Sequence, residues 1–324
     1  MATPVRVGLI GVGRWGKHYL QTLLALADRC QVTHLATSRE ENAHLVPHPV
    51  TVVADWRQLL RADCDAVVVA SPPDTHAQIV EACLEAGKPC MVEKPVCLDM
   101  ATADRLHRRV ETSAVPVLVD YVHLFSPAYR VLKEAMDQAG ESIRVMLSEG
   151  MGFGPFRART SVLWDWAPHD VSLCLDLVGH APIHVAALGG PSDPRGQPEL
   201  ISVRLDFPND VCAWIQAGRL SPLKRRNLSV FTNTHLYQLD DLGSRPPTVS
   251  SIDVSARETD GIPAVLDPRP LTVASTLTPL ASALCYFFDG LAGGDRDYFG
   301  LERSVEITRV LAKCEELMHT SMRV

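Results

Sequence analysis

Short apolar runs alternate with helix-like stretches through the first third of the chain. Apolar runs cover residues 5–10, 32–37, 66–70, 89–92 and 115–119, and each stops at glycine or polar residues. Between the first two runs, apolar side chains of residues 17–27 recur at helical spacing. Continuous apolar strands that alternate with helices are typical of a parallel sheet covered on both faces. The pattern therefore predicts an α/β fold with a doubly wound parallel sheet.

After residue 122 the pattern changes to longer strand-like segments that follow one another. Turn signals such as Pro208-Asn209-Asp210 separate these segments, which favours a mostly antiparallel sheet. Strands are predicted at 143–149, 184–189, 200–207, 211–219 and 228–239, and helices at 127–139, 166–178, 277–291 and 301–318. Residues 243–272, rich in Pro, Ser and Asp, are predicted to form a loop or a covering arm. Because 324 residues exceed one typical domain, we expect two domains, 1–122 and 123–324.

Composition and charge narrow the range of partners. A formal net charge of −7 argues against a nucleic-acid or anionic-membrane partner. No apolar run is long enough to span a bilayer, and the first residues lead straight into a strand instead of a signal-peptide pattern. Nine scattered cysteines without a CxxC pair are typical of reduced thiols. We therefore expect a cytoplasmic protein without a membrane partner.

A glycine-rich turn follows the first strand directly. Residues 11–16, GVGRWG, form a G-x-G-x-x-G motif between a strand and a helix, which is the context of a dinucleotide-binding turn. Gly11 would allow the tight turn, Gly13 the approach of a pyrophosphate, and Gly16 close helix–strand packing. Arg14 and Trp15 complete the loop. The alternative is a tight turn that binds no ligand.

The end of the second strand bears on the choice between NAD and NADP. An acidic residue at this place binds the ribose 2′-hydroxyl of NAD, but the chain has Thr37-Ser38-Arg39. Ser38 and Arg39 suit a 2′-phosphate, which favours NADP. Glu40 and Glu41 follow at once, so a shift of one or two positions would restore an acid and favour NAD. Arg39 could also be a solvated loop charge.

A lysine ends one of the apolar strands. In the stretch 89–95, PCMVEKP, the apolar run stops at Glu93 and Lys94, and Pro95 keeps the backbone of Lys94 extended. Ligands of parallel sheets bind beyond the carboxyl ends of the strands, so Lys94 would lie where a ligand is expected. The alternative is a solvent-facing lysine.

A second polar cluster lies at residues 164–170, WDWAPHD. Asp165 and His169 are four residues apart and would share one face of a helical turn. Asp165 is also a good N-cap, and Pro168 is tolerated in a first turn. A helix cap with a nearby structural histidine is therefore the alternative to a catalytic pair.

Three motifs together resemble the Gfo/Idh/MocA oxidoreductases. They are GVGRWG, the segment VVVASPPDTHAQIVEACLEAGKPCMVEKP, and the downstream D-x-x-x-H. The resemblance covers essentially the whole chain. It implies a Rossmann domain, followed by an α+β domain with a large, mostly antiparallel open sheet, with the nicotinamide bound between the two.

The resemblance also implies catalytic roles. Lys94 would reach the nicotinamide ribose and the substrate, His169 would be the general acid or base, and Asp165 would hydrogen-bond the substrate. The peptide between Lys94 and Pro95 would be cis. No metal is required, although His169, Asp165 and Asp170 are residue types that could mimic a metal cluster. A homo-oligomer, dimer or tetramer, is expected by analogy.

The remaining site residues are drawn from the same motifs. The predicted cofactor-binding set is Gly11, Gly13, Arg14, Trp15, Gly16, Ser38, Arg39, Ser71, Pro72, His76, Glu93 and Lys94. The predicted substrate contacts are Tyr121, His123, Arg157 and Trp166. If the substrate carries phosphates, Arg157, Arg159, Lys224 and Arg225 are candidate ligands, with Arg159 and Arg225 better explained as exposed loop cations.

The chain departs from the common family pattern at several positions. Asp120 stands where glycine is frequent, Leu163 and Trp164 replace glycines before Asp165, and Ala167-Pro168 replaces the glycine before the histidine. This form of the motif resembles a branch associated with nucleotide-sugar or polysaccharide pathways.

The sequence thus predicts an oxidoreductase that uses NADP, or NAD, on a sugar, cyclitol or nucleotide-sugar carbon. A non-catalytic dinucleotide-binding regulator with the same fold is one alternative, and a dehydrogenase of a non-sugar substrate is another. Lys94, Asp165 and His169 together favour an enzyme over a regulator.

Substitution of Arg39 tests the cofactor prediction. We expect Arg39→Ala to weaken NADP binding by roughly tenfold or more, because a charged contact to the 2′-phosphate is lost. NAD binding should change little. Titration calorimetry with both cofactors measures the effect. A wild-type preference for NAD, or unchanged NADP affinity in the variant, would contradict the prediction.

Overall fold

The computed structural model describes residues 3–46, 49–154, 156, 160–241, 246–254 and 267–321. The chain divides into two compact units. The first comprises Met1–Val122 and Leu277–Thr308, and the second comprises His123–Thr276 and Arg309–Val324. The predicted domain boundaries, 1–122 and 123–324, stay a prediction. They assign residues 277–308 to the second domain, whereas these residues belong to the first compact unit.

Strands and helices are numbered in chain order. The strands are β1 (Val5–Ile10), β2 (Cys30–Ala36), β3 (Thr51–Val53), β4 (Ala66–Val69), β5 (Cys90–Glu93), β6 (Val117–Asp120), β7 (Ile143–Phe153), β8 (His184–Gly189), β9 (Leu200–Asp206), β10 (Cys212–Gly218), β11 (Leu220–Thr232), β12 (His235–Asp241), β13 (Thr248–Asp253) and β14 (Arg269–Leu271). The helices are α1 (Gly16–Ala25), α2 (Pro73–Glu85), α3 (Met100–Glu111), α4 (Pro127–Ala139), α5 (Val162–Asp165), α6 (Ala167–Val178), α7 (Pro279–Leu291) and α8 (Glu302–Ser321). Short 3₁₀ helices cover Glu40–Leu45, Trp56–Arg61 and Val122–Phe125.

The first unit is built on a six-stranded parallel sheet. Its strand order is β3-β2-β1-β4-β5-β6, and every pairing is parallel. All four residues of β4 are buried, as a strand covered on both faces requires. This order is that of a dinucleotide-binding fold, whose ligands bind beyond the carboxyl ends of the strands where the order reverses. The predicted doubly wound sheet is confirmed.

The second unit contains an eight-stranded sheet. Its order is β14-β13-β12-β11-β7-β10-β9-β8, and the pairings are antiparallel except for the parallel pair β7–β10. Helices α4, α5 and α6 pack against the sheet. The predicted large, mostly antiparallel sheet is confirmed.

Two predictions for the second unit were wrong. Residues 228–239 do not form one strand, because β11 ends at Thr232 and β12 starts at His235. The Thr232 hydroxyl accepts hydrogen bonds from the backbone N–H groups of Thr234 and His235, which closes a tight hairpin. Residues 243–272 are not wholly a loop either, since β13 and β14 extend the sheet within that range.

One face of this sheet carries exposed apolar side chains. Along β10, Ala213 and Ile215 are buried whereas Trp214 is 46% exposed. Its register partner on β7, Leu147, is 44% exposed. Strand side chains alternate between faces, so Trp214 and Leu147 point away from the buried layer.

The sequence predicts reduced cysteines and no membrane-spanning run. All nine cysteines are free, and only Cys212 and Cys285 are more than slightly exposed. Among the described residues, no helix combines the length and apolarity that crossing a membrane requires.

The start of α3 offers a test of local stability. The Asp99 side chain accepts a 2.8 Å hydrogen bond from the backbone N–H of Thr102 and so caps the helix. We expect Asp99→Ala to lower the free energy of unfolding by about 1 kcal/mol. Asp104→Ala, which removes a carboxylate one turn further along without removing the cap, should cost less. Urea denaturation measures both, and equal losses would contradict the capping role.

Candidate active site

The glycine turn between β1 and α1 has the geometry of a phosphate-binding loop. Gly11 has φ +94°, and a Cβ there would lie 2.8 Å from the carbonyl oxygen of Ala70. A Cβ on Gly16 would overlap the Gly11 carbonyl oxygen. A Cβ on Gly13 would meet nothing within 4 Å. Gly11 and Gly16 are thus required by packing, whereas Gly13 borders open space that a ligand could use.

The first turn of α1 suits an anion. Within this described helix, no side chain caps the N-terminus and the first turn contains no acidic residue. Its N–H groups and dipole therefore favour a negatively charged group. Arg14 is exposed, and the 40% exposed Trp15 packs edge-on against His18, with ring centroids 5.1 Å apart. The predicted loop residues fit a dinucleotide pyrophosphate.

The loop after β2 presents Ser38 and Arg39 at the surface. The Thr37 hydroxyl accepts hydrogen bonds of 3.2 Å from the backbone N–H of Arg39 and from the side-chain amide of Asn42. Asn42 is buried, so these bonds fix the loop backbone while both neighbouring side chains stay exposed. The side chains of Ser38 and Arg39 are therefore not packed into the core, and they lie just after the carboxyl end of β2.

His76 links two loops at the sheet edge. Its Nδ1 lies 2.8 Å from the carbonyl oxygen of Pro95, and its Nε2 lies 2.8 Å from that of Ser71. The ring is buried, and burial lowers the pKa of His76. Both ring nitrogens face protein carbonyls, so the geometry favours a role in holding Ser71 and Pro95 together. Pro72, next to Ser71 in the sequence, is the N-cap of α2.

Lys94 lies just beyond β5 and is only 8% exposed. The Lys94–Pro95 peptide is cis, as the family resemblance led us to expect. Glu93 is in register with Asp120 at the end of β6. The predicted solvent-facing alternative for Lys94 is therefore wrong, because the residue is buried at the carboxyl edge of the parallel sheet.

Asp120 is a buried acid beside this lysine. It is 1% exposed, and its Oδ2 accepts a hydrogen bond from the hydroxyl of Tyr19 on α1. Burial raises the pKa of Asp120 to about 7, against the opposing effects of the Tyr19 hydrogen bond and the Lys94 charge. The sequence marked Asp120 only as a departure from a glycine and did not reveal this environment.

In the second unit, Asp165 does not cap the helix that carries His169. Ser161 caps α5, accepting a hydrogen bond from the N–H of Trp164, and α5 ends at Asp165. Trp166 then serves as N-cap of α6. The capping alternative for Asp165 is wrong because helical structure begins four residues earlier than the pattern suggested. His169 lies in the first turn of α6, and its N–H donates to the Trp166 carbonyl.

Two histidines meet in this unit. The rings of His123 and His169 lie 4.8 Å apart, centroid to centroid, at an interplanar angle of 84°. Trp166 packs its ring edge over Gly152, where a Cβ would approach within 2.8 Å. The structure thus brings together His123 and His169, which lie 46 residues apart in the sequence.

A buried ion pair anchors the helix beside His169. Asp170, fully buried, accepts hydrogen bonds from the Arg226 guanidinium at 2.9 Å and from the Ser148 hydroxyl at 2.8 Å. Burial raises the pKa of Asp170, and the Arg226 charge opposes that rise. A Cβ on Gly150 would lie 2.6 Å from the Asp170 carboxylate and 2.8 Å from the Arg226 guanidinium. Arg226 and Ser148 were missed from sequence because each lies on a distant strand.

The other predicted substrate residues have different surroundings. Tyr121 is 3% exposed and hydrogen-bonds Ser304, which favours a packing role. Arg225 is exposed as expected, but it lies on strand β11 and not in a loop, with its guanidinium 3.8 Å from a carboxylate oxygen of Glu149. Lys224 is exposed on the same strand. Arg157 and Arg159 lie outside the described residues.

Known proteins resemble this chain over most of its length. The model of an oxidoreductase family with an NAD-binding Rossmann fold, GFO_IDH_MocA, matches residues 5–121. UDP-N-acetylglucosamine 3-dehydrogenase of Acidithiobacillus ferrooxidans is 26% identical over 308 residues, 89% of this chain and 93% of that protein. Myo-inositol dehydrogenase Hyg17 of Streptomyces leeuwenhoekii is 29% identical over 230 residues, 67% of this chain and 70% of that protein. A crystal structure from Magnetospirillum magnetotacticum, provisionally described as an oxidoreductase, is 33% identical with a TM-score of 0.84, covering 96% of this chain and 100% of that one.

Alanine at two glycines separates a ligand-binding role from a packing role. We expect Gly13→Ala to leave the unfolding temperature nearly unchanged but to weaken NADP binding roughly tenfold or more, because the methyl group occupies open space beside the pyrophosphate position. Gly16→Ala should destabilise the protein itself, since its methyl group overlaps backbone. Thermal unfolding with and without NADP measures both effects. Equal loss of stability in the two variants would contradict the assignment.

Proposed function

The chain belongs to the Gfo/Idh/MocA oxidoreductase family, and from that premise we propose the reaction that it catalyses. It transfers a hydride between a nicotinamide dinucleotide and a carbinol or carbonyl carbon of a sugar, cyclitol or nucleotide-sugar. The observation that carries the proposal is Lys94, buried at the carboxyl edge of the parallel sheet in a chain that also keeps Asp165 and His169.

The glycine loop and the start of α1 would hold the pyrophosphate of the cofactor. Gly13 borders open space and the N-terminus of α1 has no side-chain cap, which supports this placement. Ser38 and Arg39 would bind a ribose 2′-phosphate, so NADP is preferred over NAD. When bound, the cofactor supplies the hydride donor or acceptor, and the protein supplies orientation and charge.

Lys94, Asp165 and His169 would act on the substrate. Oxidation of a carbinol requires its hydroxyl proton to leave, and an imidazole, which titrates near neutral pH, is suited to accept it at His169. The ammonium of Lys94 would stabilise the developing alkoxide oxygen. Asp165 would accept a hydrogen bond from a substrate hydroxyl and so orient it. In the reverse direction, His169 would return the proton to the carbonyl oxygen.

His123 is a further candidate for substrate contact. Its edge-on packing against His169 restricts the orientation of the His169 ring. Trp166 offers a flat apolar surface of the kind that packs against sugar rings. The similarity to a UDP-N-acetylglucosamine 3-dehydrogenase over 89% of the chain supports a nucleotide-sugar as substrate, and the similarity to a myo-inositol dehydrogenase supports a cyclitol.

The expected homo-oligomer stays a prediction. The exposed Trp214 and Leu147 on the open sheet face are the side chains that such an assembly would cover. Cytoplasmic localisation also stays a prediction.

Substitution of Lys94 and His169 tests the proposal. We expect Lys94→Ala and His169→Ala each to lower kcat by at least about a hundredfold, because charge stabilisation or proton transfer is lost. Nicotinamide absorbance at 340 nm, followed with a panel of nucleotide-sugars, sugars and cyclitols, measures turnover.

Matched controls are Lys313→Ala and His184→Ala, which remove exposed side chains engaged in the surface ion pairs Lys313–Glu316 and His184–Asp206. They should retain wild-type turnover. Unchanged turnover in both site variants would refute the assignment. Cofactor binding without turnover of any panel member would revive the regulator alternative.

A further inference from the structure

His76 contacts two separate parts of the backbone at the carboxyl edge of the parallel sheet. Its ring is 1% exposed and lies near the start of α2. Nδ1 lies 2.8 Å from the carbonyl oxygen of Pro95, the residue after Lys94, and Nε2 lies 2.8 Å from the carbonyl oxygen of Ser71. Both partners are carbonyls, which only accept hydrogen bonds, so the position of the ring proton decides which contact is a hydrogen bond.

The charge state of the ring limits it to one of these bonds. A neutral imidazole has a single N–H and satisfies only one carbonyl. Burial is the largest effect on the pKa of His76 and lowers it. The two carbonyl contacts and the charge of Asp74, on the same helix, oppose this effect, whereas the charge of Lys94 adds to it. Because the ordinary pKa of histidine is about 6.5, the lowered value leaves His76 neutral at about pH 8.

The two carbonyls differ in their need for that proton. Pro95 is buried, whereas Ser71 is half-buried, so water replaces a missing donor at Ser71 more easily than at Pro95. A buried carbonyl without a donor is costly, because nothing compensates for its lost hydration. The proton of the neutral ring therefore belongs on Nδ1, which faces Pro95.

The loop that contains Ser71 also has hydrogen bonds of its own. The Thr75 hydroxyl donates to the Pro72 carbonyl at 2.7 Å, and the Thr75 N–H donates to the same oxygen. Since the proton of the Thr75 hydroxyl is engaged there, the Ser71 hydroxyl, 2.7 Å away, donates to Thr75. These bonds close the turn before α2 without Nε2. The Pro95 carbonyl, in contrast, takes its bond from a residue 19 positions earlier in the chain.

We propose that His76 is a positioning residue for Lys94: its Nδ1–H donates to the Pro95 carbonyl and so fixes the backbone that carries the lysine at the end of β5. The proline ring restricts φ at Pro95 to about −65°. A hydrogen bond at the Pro95 carbonyl therefore also restricts the Lys94–Pro95 peptide. The inference rests on the proposed role of Lys94 at the substrate.

Nuclear magnetic resonance of ¹⁵N-labelled histidine tests the proton position without reference to activity. The chain has 12 histidines, so the His76 ring signals are assigned through correlations to the backbone of that residue. At about pH 8 we expect Nδ1 to carry a proton and Nε2 to carry none. A protonated Nδ1 supports the proposal, whatever the state of Nε2. A proton on Nε2 alone would overturn it.

Two amide side chains separate the roles of the two ring nitrogens. The amide nitrogen of asparagine is bonded to Cγ, as Nδ1 is, whereas that of glutamine lies one bond further along, as Nε2 does. His76→Asn therefore keeps a donor toward Pro95, and His76→Gln keeps one toward Ser71. With a saturating substrate from the panel, we expect His76→Gln to lower kcat by roughly ten- to a hundredfold, as misplacement of a catalytic group does, and His76→Asn to lower it by less than about threefold.

Thermal unfolding of both variants measures the structural effect, since each replaces a buried ring by an amide. Equal losses of kcat in the two variants, or a larger loss in His76→Asn, would show a merely structural role and overturn the proposal. If either variant fails to fold, the proton position in the wild type decides. If Nδ1 carries the proton but the wild type turns over no substrate, the bond to Pro95 stands and the proposed function fails.

Discussion

The burial of opposite charges at the ends of β5 and β6 is the constraint on which the candidate site depends. Lys94 and Asp120 are both buried at neighbouring strand ends, where a charged group is costly unless hydrogen bonds or other charges compensate it. The parallel sheet supplies the positions, because the carboxyl ends of its strands lie along one edge. Tyr19 and His76 then fix the surrounding loops by hydrogen bonds to Asp120 and to the Pro95 carbonyl.

In the second unit, a buried ion pair adjoins the candidate histidine. His169 stands next in sequence to Asp170, whose buried carboxylate is held by Arg226 and Ser148. Breaking such a buried pair by removing one partner leaves an uncompensated charge. The first turn of α6 is therefore bonded to strands β7 and β11, which restricts the position of the adjacent His169. The candidate catalytic residue His169 thus has a buried aspartate beside it that holds its segment in place.

The sequence revealed local features well and long-range contacts poorly. The glycine turn, the parallel strands and the end of α6 at Gly179 all follow from short patterns. Tyr19 and Asp120 lie 101 residues apart, and Asp170 and Arg226 lie 56 apart, so no local pattern links them. The hairpin at Thr232–His235 was missed because Asn233 and Thr234 interrupt the apolar alternation only briefly. Asp120 was visible as an unusual residue, but only the fold shows that it is buried and accepts a hydrogen bond from Tyr19.

The most direct test of hydride transfer follows the hydrogen itself. Incubation with NADPH deuterated at the transferable C4 position and a panel of keto-sugars and their nucleotide conjugates, followed by mass spectrometry, reports where the hydrogen goes. We expect one deuterium on carbon in each molecule of the reduced product, formed at least about a hundredfold more slowly with Lys94→Ala. Deuterium in no product, from a protein that binds NADPH and is given the whole panel, would contradict it.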